Sequence, residues 1–219
     1  MTDQLPEGAS PAWTDVGRWI GRWLYPLPFR VRVHGAERVP RTGGVVVVAN
    51  HSSMADGPIL FGALPRRVVF LIKQEMFRGW AGYWLRKIGQ LSVRRGVPDR
   101  APLLAALRVL RAGGVVGVFP EGTRGAGDVS DAQHGAAWLA RSSGALVLPV
   151  ACRGTLRPAG TRRRFLPVVD VLIGEPFELP PGKGKQALDV ATEQVRDRLA
   201  TLVAELDNRR MSSVSGEAK

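Results

Sequence analysis

The sequence predicts an α/β domain built on a mixed, largely buried sheet flanked by helices, preceded by one amphipathic helix. Three observations predict it. Short aliphatic runs recur between glycine, proline or charged residues: VVVV (45–48), RVVFLI (67–72), VVGVF (115–119), ALVLPVA (145–151) and VVDVLIG (168–174). These runs are continuous rather than alternating, which suits strands covered on both faces. Segments with apolar residues at steps of three and four lie between several of them, and strands alternating with helices make an α/β layer architecture.

Residues 1–28 divide into a polar leader, expected to be loose to about residue 11, and a helix over residues 11–25, PAWTDVGRWIGRWLY. Trp13, Val16, Ile20, Trp23 and Leu24 fall at helical spacing there, with Trp19, Arg18 and Arg22 among them. Two arrangements satisfy such a helix. It can lie on a membrane with its indoles at headgroup level, or pack its tryptophan face on the domain.

The domain proper spans residues 29–207. FRVRVHG alternates, with Phe29, Val31 and Val33 inward and Arg30, Arg32 and His34 outward, as a half-exposed strand. After the strands at 45–48 and 67–72, the stretch 75–89 clusters Phe77, Trp80, Tyr83 and Trp84, and adds Phe77, Trp80 and Trp84 to the expected membrane contacts. A helix over 101–112 stops at Gly113–Gly114, and another runs from about Asp131 to Ser143. The last helix, near 185–206, places Leu188, Ala191, Val195, Leu199, Leu202 and Leu206 on one stripe. Residues 208–219 read as a disordered tail.

The chain of 219 residues carries +12, from 31 Lys+Arg against 19 Asp+Glu, and 26 of the 31 are arginine. That excess suits an anionic partner, whether a lipid surface or a phosphorylated substrate, or else reflects a general preference for arginine. Nucleic acid is not expected, because the arginines are scattered and no binding motif accompanies them. A single cysteine, Cys152, excludes an intramolecular disulfide framework and fits a reducing compartment. No uncharged apolar run approaches the ~18 residues of a membrane span, and the first residues lack the pattern of a secretory signal. A protein of this composition that meets a membrane lies on it.

Two strand ends carry chemistry. The valine strand runs into Asn50 and then His51-Ser-Ser-Met-Ala-Asp56. In a straight helix, residues five apart point roughly 140° from each other, so His51 and Asp56 meet only if the chain turns between them. Ser52, Ser53, Gly57 and Pro58 favour such a turn. A histidine oriented by a carboxylate is the arrangement of a general base. No G-x-S-x-G elbow supplies a serine nucleophile, Cys152 reads as a small buried residue, and no cluster has metal spacing. The second strand end is FPEGTR, Phe119 to Arg124, where Gly122 allows close backbone approach, Thr123 can donate and Arg124 offers a bidentate fork. Lys73, Arg94 and Arg95 close other strands, so several cations are expected at one edge of the sheet, where α/β folds place ligands.

NHSSMAD (50–56), GQLSVRR (89–95), FPEGTR (119–124) and LVLPVA (146–151) together resemble, in order and spacing, the four motif blocks of the 1-acyl-glycerol-3-phosphate acyltransferase (PlsC-like) family of glycerolipid acyltransferases. The resemblance covers roughly residues 30–180. It implies that His51, supported by Asp56, deprotonates the 2-hydroxyl of lysophosphatidate or a related lysolipid. The hydroxyl oxygen then attacks the thioester of acyl-CoA or acyl carrier protein without an acyl-enzyme, and no other cofactor is called for. Lys73, Arg94, Arg95 and Arg124 would hold the phosphate, with Asn50, Glu121, Gly122, Thr123 and Pro149 shaping the site. Where the family often has Asp-Arg in its second block, this chain has Arg94-Arg95, which leaves two candidates for one contact. The implied place is the cytoplasmic face of the cell membrane, peripherally bound. A thioesterase using the same pair with water, or a non-catalytic basic lipid-surface binder, is the competing reading.

Overall fold

Val45–Ala49 (β2) is the strand on which the architecture turns, being buried along its whole length. The other strands are β1 (Arg30–His34), β3 (Val68–Lys73), β4 (Leu91–Val93), β5 (Val115–Val118), β6 (Leu146–Arg153) and β7 (Val168–Ile173). The computed structural model describes residues 4–94, 100–120, 126–156, 166–182 and 184–216. One sheet contains the strands in the order β1-β7-β6-β2-β5-β3-β4. Strands β6, β2, β5, β3 and β4 are parallel neighbours, so all five deliver their carboxyl ends to one edge. β7 runs antiparallel to β6, and β1 follows β7 in parallel. The sheet is mixed, as the sequence predicts.

The helices are α1 (Pro11–Trp19), α2 (Asp56–Ala63), α3 (Gly79–Lys87), α4 (Arg100–Arg111), α5 (Ala126–Ser143) and α6 (Gly184–Gly216). Val46, Val48, Val69, Val116, Val118 and Val147 face α4, α5 and α6 through Leu107, Leu110, Ala136, Leu139 and Val195. The alternate residues, Val45, Val47, Val68, Phe70, Leu148 and Val150, face α2 through Ile59, Leu60, Phe61 and Leu64. Two apolar faces explain why the strands read as unbroken aliphatic runs. The layering also places a switch point: the helix following β2 covers one face and the helix following its neighbour β5 covers the other. In open α/β sheets ligands bind at the carboxyl edge beside such a reversal, which here falls between β2 and β5.

The N-terminal helix does not pack a tryptophan face on the domain core. Its small residues make the close contacts, and of its tryptophans Trp13 meets Trp84 of α3 edge-to-face. Thr14 is buried and its hydroxyl donates to the Ser10 and Ile88 carbonyls. After Trp19 the helix widens into a π-helical turn (Ile20–Leu24). Gly21 there lies so close to α2 that a Cβ would stand 2.7 Å from the Pro58 carbonyl oxygen, and a Cβ on Gly62 would fall on the Gly21–Arg22 backbone. Arg18 donates to the Leu64 carbonyl at 2.7 Å, closing the carboxyl end of α2. Trp13, Trp19 and Trp23 remain 45%, 55% and 59% exposed.

Four further expectations are corrected. Residues 4–10 are not loose: Leu5 is buried in the core and the Ser10 amide donates to the Lys87 carbonyl. Phe77 is buried, because the 3₁₀ turn Gln74–Phe77 is pressed under α3 at Gly82, where a Cβ would fall on the Phe77 backbone. It is therefore not a membrane contact, whereas Trp80 is 79% exposed. Helix α5 begins at Ala126 rather than near Asp131. Helix α6 continues to Gly216 instead of yielding to a tail. Arg210 holds that extension through Asp170 and the Val168 carbonyl of β7, and Glu205–Arg209 bridges one turn.

The Gly21–Gly62 crossing has a measurable consequence. Gly62→Ala should destabilise the protein by about 1–3 kcal/mol, the range for overpacking a tight contact. Gly57→Ala, in the same helix with nothing near its Cβ position, should leave stability equal or slightly higher. Thermal unfolding of the two variants against wild type checks this.

Candidate active site

The loop that carries His51 and Asp56 begins where β2 is cut short. Asn50 is fully buried, and its amide replaces the next rung of the ladder: Nδ2 donates to the Cys152 carbonyl at 2.9 Å, and Oδ1 accepts from the Cys152 amide at 2.7 Å. β6 is thus held in place while the main chain of β2 turns away. The Asp56 amide donates to the Ser53 carbonyl at 3.0 Å and α2 starts. This is the turn that His51 and Asp56 require in order to meet.

Asp56 has no exposed surface. Its Oδ2 accepts the amides of Ser52 and Ser53 at 2.7 and 2.8 Å and lies 3.2 Å from His51 Nδ1. The imidazole N–H is not aligned on that oxygen, so the contact is an electrostatic approach rather than a straight hydrogen bond. Oδ1 accepts the Thr155 hydroxyl at 2.5 Å and the Cys152 thiol at 3.6 Å. Burial alone would push the Asp56 carboxyl up. The close approach of His51 and the bonds from Thr155 and the two serine amides outweigh it, and the carboxyl is held below its ordinary range. Burial, reinforced by the Asp56 charge, pushes the Cys152 thiol far up, so it stays protonated and able to donate.

His51 is 21% exposed at its side chain. Phe119, one residue past β5, covers the ring at 4.6 Å, and Phe119 in turn stacks on Phe70 of β3 at 5.2 Å. Gly117 makes that wall possible, since a Cβ there would fall on the Phe70 ring. With Nδ1 turned to Asp56, Nε2 is the nitrogen directed away from the carboxylate. Among the described residues no hydroxyl or thiol is hydrogen bonded to His51.

The other sequence-predicted residues distribute as follows. Lys73 ends β3 opposite Val93, so Lys73 and Arg94 share one corner of the carboxyl edge, and Arg94 Nε donates to Gln74 at 2.8 Å. Neither contacts His51. Pro149 lies within β6 opposite Val48, and its missing N–H falls between the Val147–Phe177 bridge and the β6–β7 ladder, where no ladder bond is lost. Arg95, Glu121, Gly122, Thr123 and Arg124 lie outside the described residues. His134 is on α5, 3.2 Å from Asp189 of α6. Thr155 and the aromatic wall escape a reading by motif. A hydroxyl residue following a glycine at a strand end is the only signal for Thr155, and it is a common one.

Asp56→Asn should cost about 1–3 kcal/mol, because at least one buried donor is left unmatched. A depressed carboxyl contributes stability that is complete above the pKa of a free aspartate, about 3.9, and is lost as pH falls toward the folded-state value. The stability gap between wild type and Asp56→Asn should therefore be widest above about pH 4 and narrow below it. Urea unfolding across a pH series measures that gap.

The chain matches the Acyltransferase family model over residues 30–153. It is 31% identical over 186 residues to the 1-acyl-sn-glycerol-3-phosphate acyltransferase of Bacillus subtilis, covering 81% of this chain and 90% of that protein. Identity to the human 1-acyl-sn-glycerol-3-phosphate acyltransferase beta is 28%, over 80% of this chain and 64% of that protein. The crystal structure of the 1-acyl-sn-glycerophosphate acyltransferase PlsC from Thermotoga maritima superposes with a TM-score of 0.69 at 28% identity, over 89% of this chain and 79% of that one. A buried carboxylate behind a histidine at the end of β2, in this sheet and with these relatives, establishes the chain as a member of the Acyltransferase family and an O-acyltransferase of the 1-acylglycerol-3-phosphate acyltransferase type.

Proposed function

We propose that the enzyme moves a fatty acyl group from acyl-CoA or acyl carrier protein to the 2-hydroxyl of lysophosphatidate or a related lysolipid, with His51 as general base. The observation that carries this is the His51–Asp56 pair standing past the carboxyl end of β2, with no described hydroxyl or thiol hydrogen bonded to His51. Nε2 takes the hydroxyl proton as the acceptor oxygen attacks the thioester carbonyl. Asp56 stabilises the resulting imidazolium. The carbon–sulfur bond then breaks and the thiolate leaves with the proton from His51. Unaligned catalytic hydrogen bonds of the kind seen at Nδ1 commonly tighten when substrate binds. Cys152 has the wrong properties for an acyl-enzyme, because its thiol is buried, protonated and committed to Asp56.

Lys73 and Arg94 suit the acceptor phosphate. They sit on the same edge as His51, two and three strand spacings from β2, or about 10 and 14 Å, a span that long side chains and a glycerol phosphate can share. Arg95 and Arg124 join them in this reading as further phosphate ligands. A membrane surface supplies the lipid. Trp13, Trp19, Trp23, Trp80, Tyr83 and Trp84 form an exposed aromatic group on α1, its π turn and α3, tied by an edge-to-face contact of Trp13 on Trp84 at 4.7 Å and interspersed with Arg22, Arg86 and Lys87. Indoles among cations fit the headgroup region of an anionic bilayer. No described helix is long and apolar enough to cross one.

Thiol release from acyl-CoA or acyl carrier protein should depend on added lysophosphatidate, and His51→Ala should lower it by about 10²–10⁴-fold, the range for losing a general base. Thiol release without acceptor would favour a thioesterase instead. Separately, replacing Trp19 and Trp23 together by alanine should reduce co-sedimentation with anionic vesicles severalfold while leaving the melting temperature near wild type. Unchanged co-sedimentation would remove the surface from the reading.

A further inference from the structure

We propose that Thr155 is a positioning residue for acyl transfer: its hydroxyl holds one oxygen of Asp56 so that the other stays facing His51. The inference rests on His51 being the general base. Thr155 lies two residues beyond the segment matched by the family model, which ends at residue 153.

The two oxygens of Asp56 have divided partners. Among the described residues, Oδ2 takes both serine amides and faces the imidazole, whereas Oδ1 has only Thr155 at 2.5 Å and the weak Cys152 donor at 3.6 Å. The torsion that turns an aspartate carboxyl is broad and two-fold, so nothing intrinsic to the side chain sets its plane. The Thr155 bond is the strong constraint on the far oxygen. Its shortness is that of a hydroxyl donating to a charged acceptor.

The backbone delivers Thr155 by a specific route. Arg153, the last residue of β6, is held by both oxygens of Asp207 on α6 at 2.8 and 3.1 Å. Gly154 then turns the chain with φ +95°, and a Cβ there would fall on the Val168 carbonyl oxygen. Glycine alone fits both requirements. The turn brings Thr155 to a carboxylate 99 residues earlier in the chain. A strand end pinned from outside, a glycine-only turn and a hydroxyl on the one oxygen that lacks backbone donors together form a built support for Asp56. Among the described residues, the titratable groups facing that carboxylate are His51 from the β2 loop and Cys152 from β6.

The test compares full-length wild type, His51→Ala, Thr155→Val and Thr155→Ser. One arm measures kcat and KM for lysophosphatidate. The other follows the Asp56 carboxyl by NMR in protein carrying ¹³C-labelled aspartate, with Asp56→Asn to assign its signal, and needs no turnover. Thr155→Val should lower kcat about tenfold to a hundredfold, the range for removing a hydrogen bond to a charged group. KM should stay within twofold and the Asp56 titration should move upward. Thr155→Ser, which keeps the hydroxyl, should restore both. Wild-type kcat in Thr155→Val, an unmoved titration, or a serine variant as impaired as the valine variant would each overturn the proposal. Transfer retained by His51→Ala would instead bring down the general-base reading. The NMR arm still reports in that case whether Thr155 holds Asp56, so the two failures are told apart.

Discussion

A carboxylate with no exposed surface is the constraint from which the rest of the site follows. Burying an unmatched ionised group is prohibitive, so Asp56 must collect donors from wherever the fold can supply them. Among the described residues it collects four: two serine amides, a threonine hydroxyl and a thiol, with the imidazole close by. A carboxylate offers about four acceptor positions, so this one is saturated. Two of the donors, and the imidazole, come from the loop after β2, and two donors from β6 and its end. The loop and the strand end must therefore hold a fixed relation, and Asn50 enforces it by pairing with both backbone groups of Cys152. The geometry of the His51–Asp56 pair and local stability rest on the same few bonds.

Sheet topology decides where this assembly stands. β2 lies between β5 and β6, and the helices leaving β2 and β5 cover opposite faces, the arrangement beside which α/β sheets take ligands. Phe70 faces the α2 side as Val68 does, two residues before it, Phe119 packs on the same side, and His51, past the end of β2, stands against the Phe119 ring. Gly117 interrupts the valines of β5 at the point where the Phe70 ring needs the room. The histidine thus meets an apolar wall on one side and a saturated carboxylate on the other, with Nε2 directed away from that carboxylate.

Much of this is legible in the sequence, for identifiable reasons. The aliphatic runs at β2, β3, β5, β6 and β7 mark strands because strands buried on both faces have no polar alternation to confuse with a helix. The His51–Asp56 spacing demands a turn, and the turn is there. Thr155 is not legible, since its role depends on a contact across 99 residues created by the φ of Gly154. Nor is the burial of Phe77, which follows from the close packing of α3 at Gly82 and not from the apolar pattern around it. The extent of α6 escapes the hydrophobic stripe because ion pairs, Arg210 with Asp170 and Arg209 with Glu205, carry its last turns. Periodicity reports apolar burial and is blind to such polar anchoring.

The same blindness affects the reading of net charge. A charge of +12 invites the idea of one large anionic footprint, yet many of the arginines are occupied inside the fold. Arg66 donates to the carbonyls of Pro40, Gly43 and Gly113, Arg38 to that of Ile173, and Arg18 to that of Leu64. Guanidinium groups suit this work, having several donors in a planar fork and little tendency to lose charge when partly buried. They close the loops and helix ends that a glycine-rich chain leaves with open carbonyls. Among the described residues, Lys73 and Arg94 stand at the carboxyl edge, and Arg22, Arg86 and Lys87 stand on the elements that carry the exposed indoles. Composition alone merges these classes. Only the hydrogen-bond partners separate the cations that hold the fold from those that can face a phosphate or a lipid headgroup.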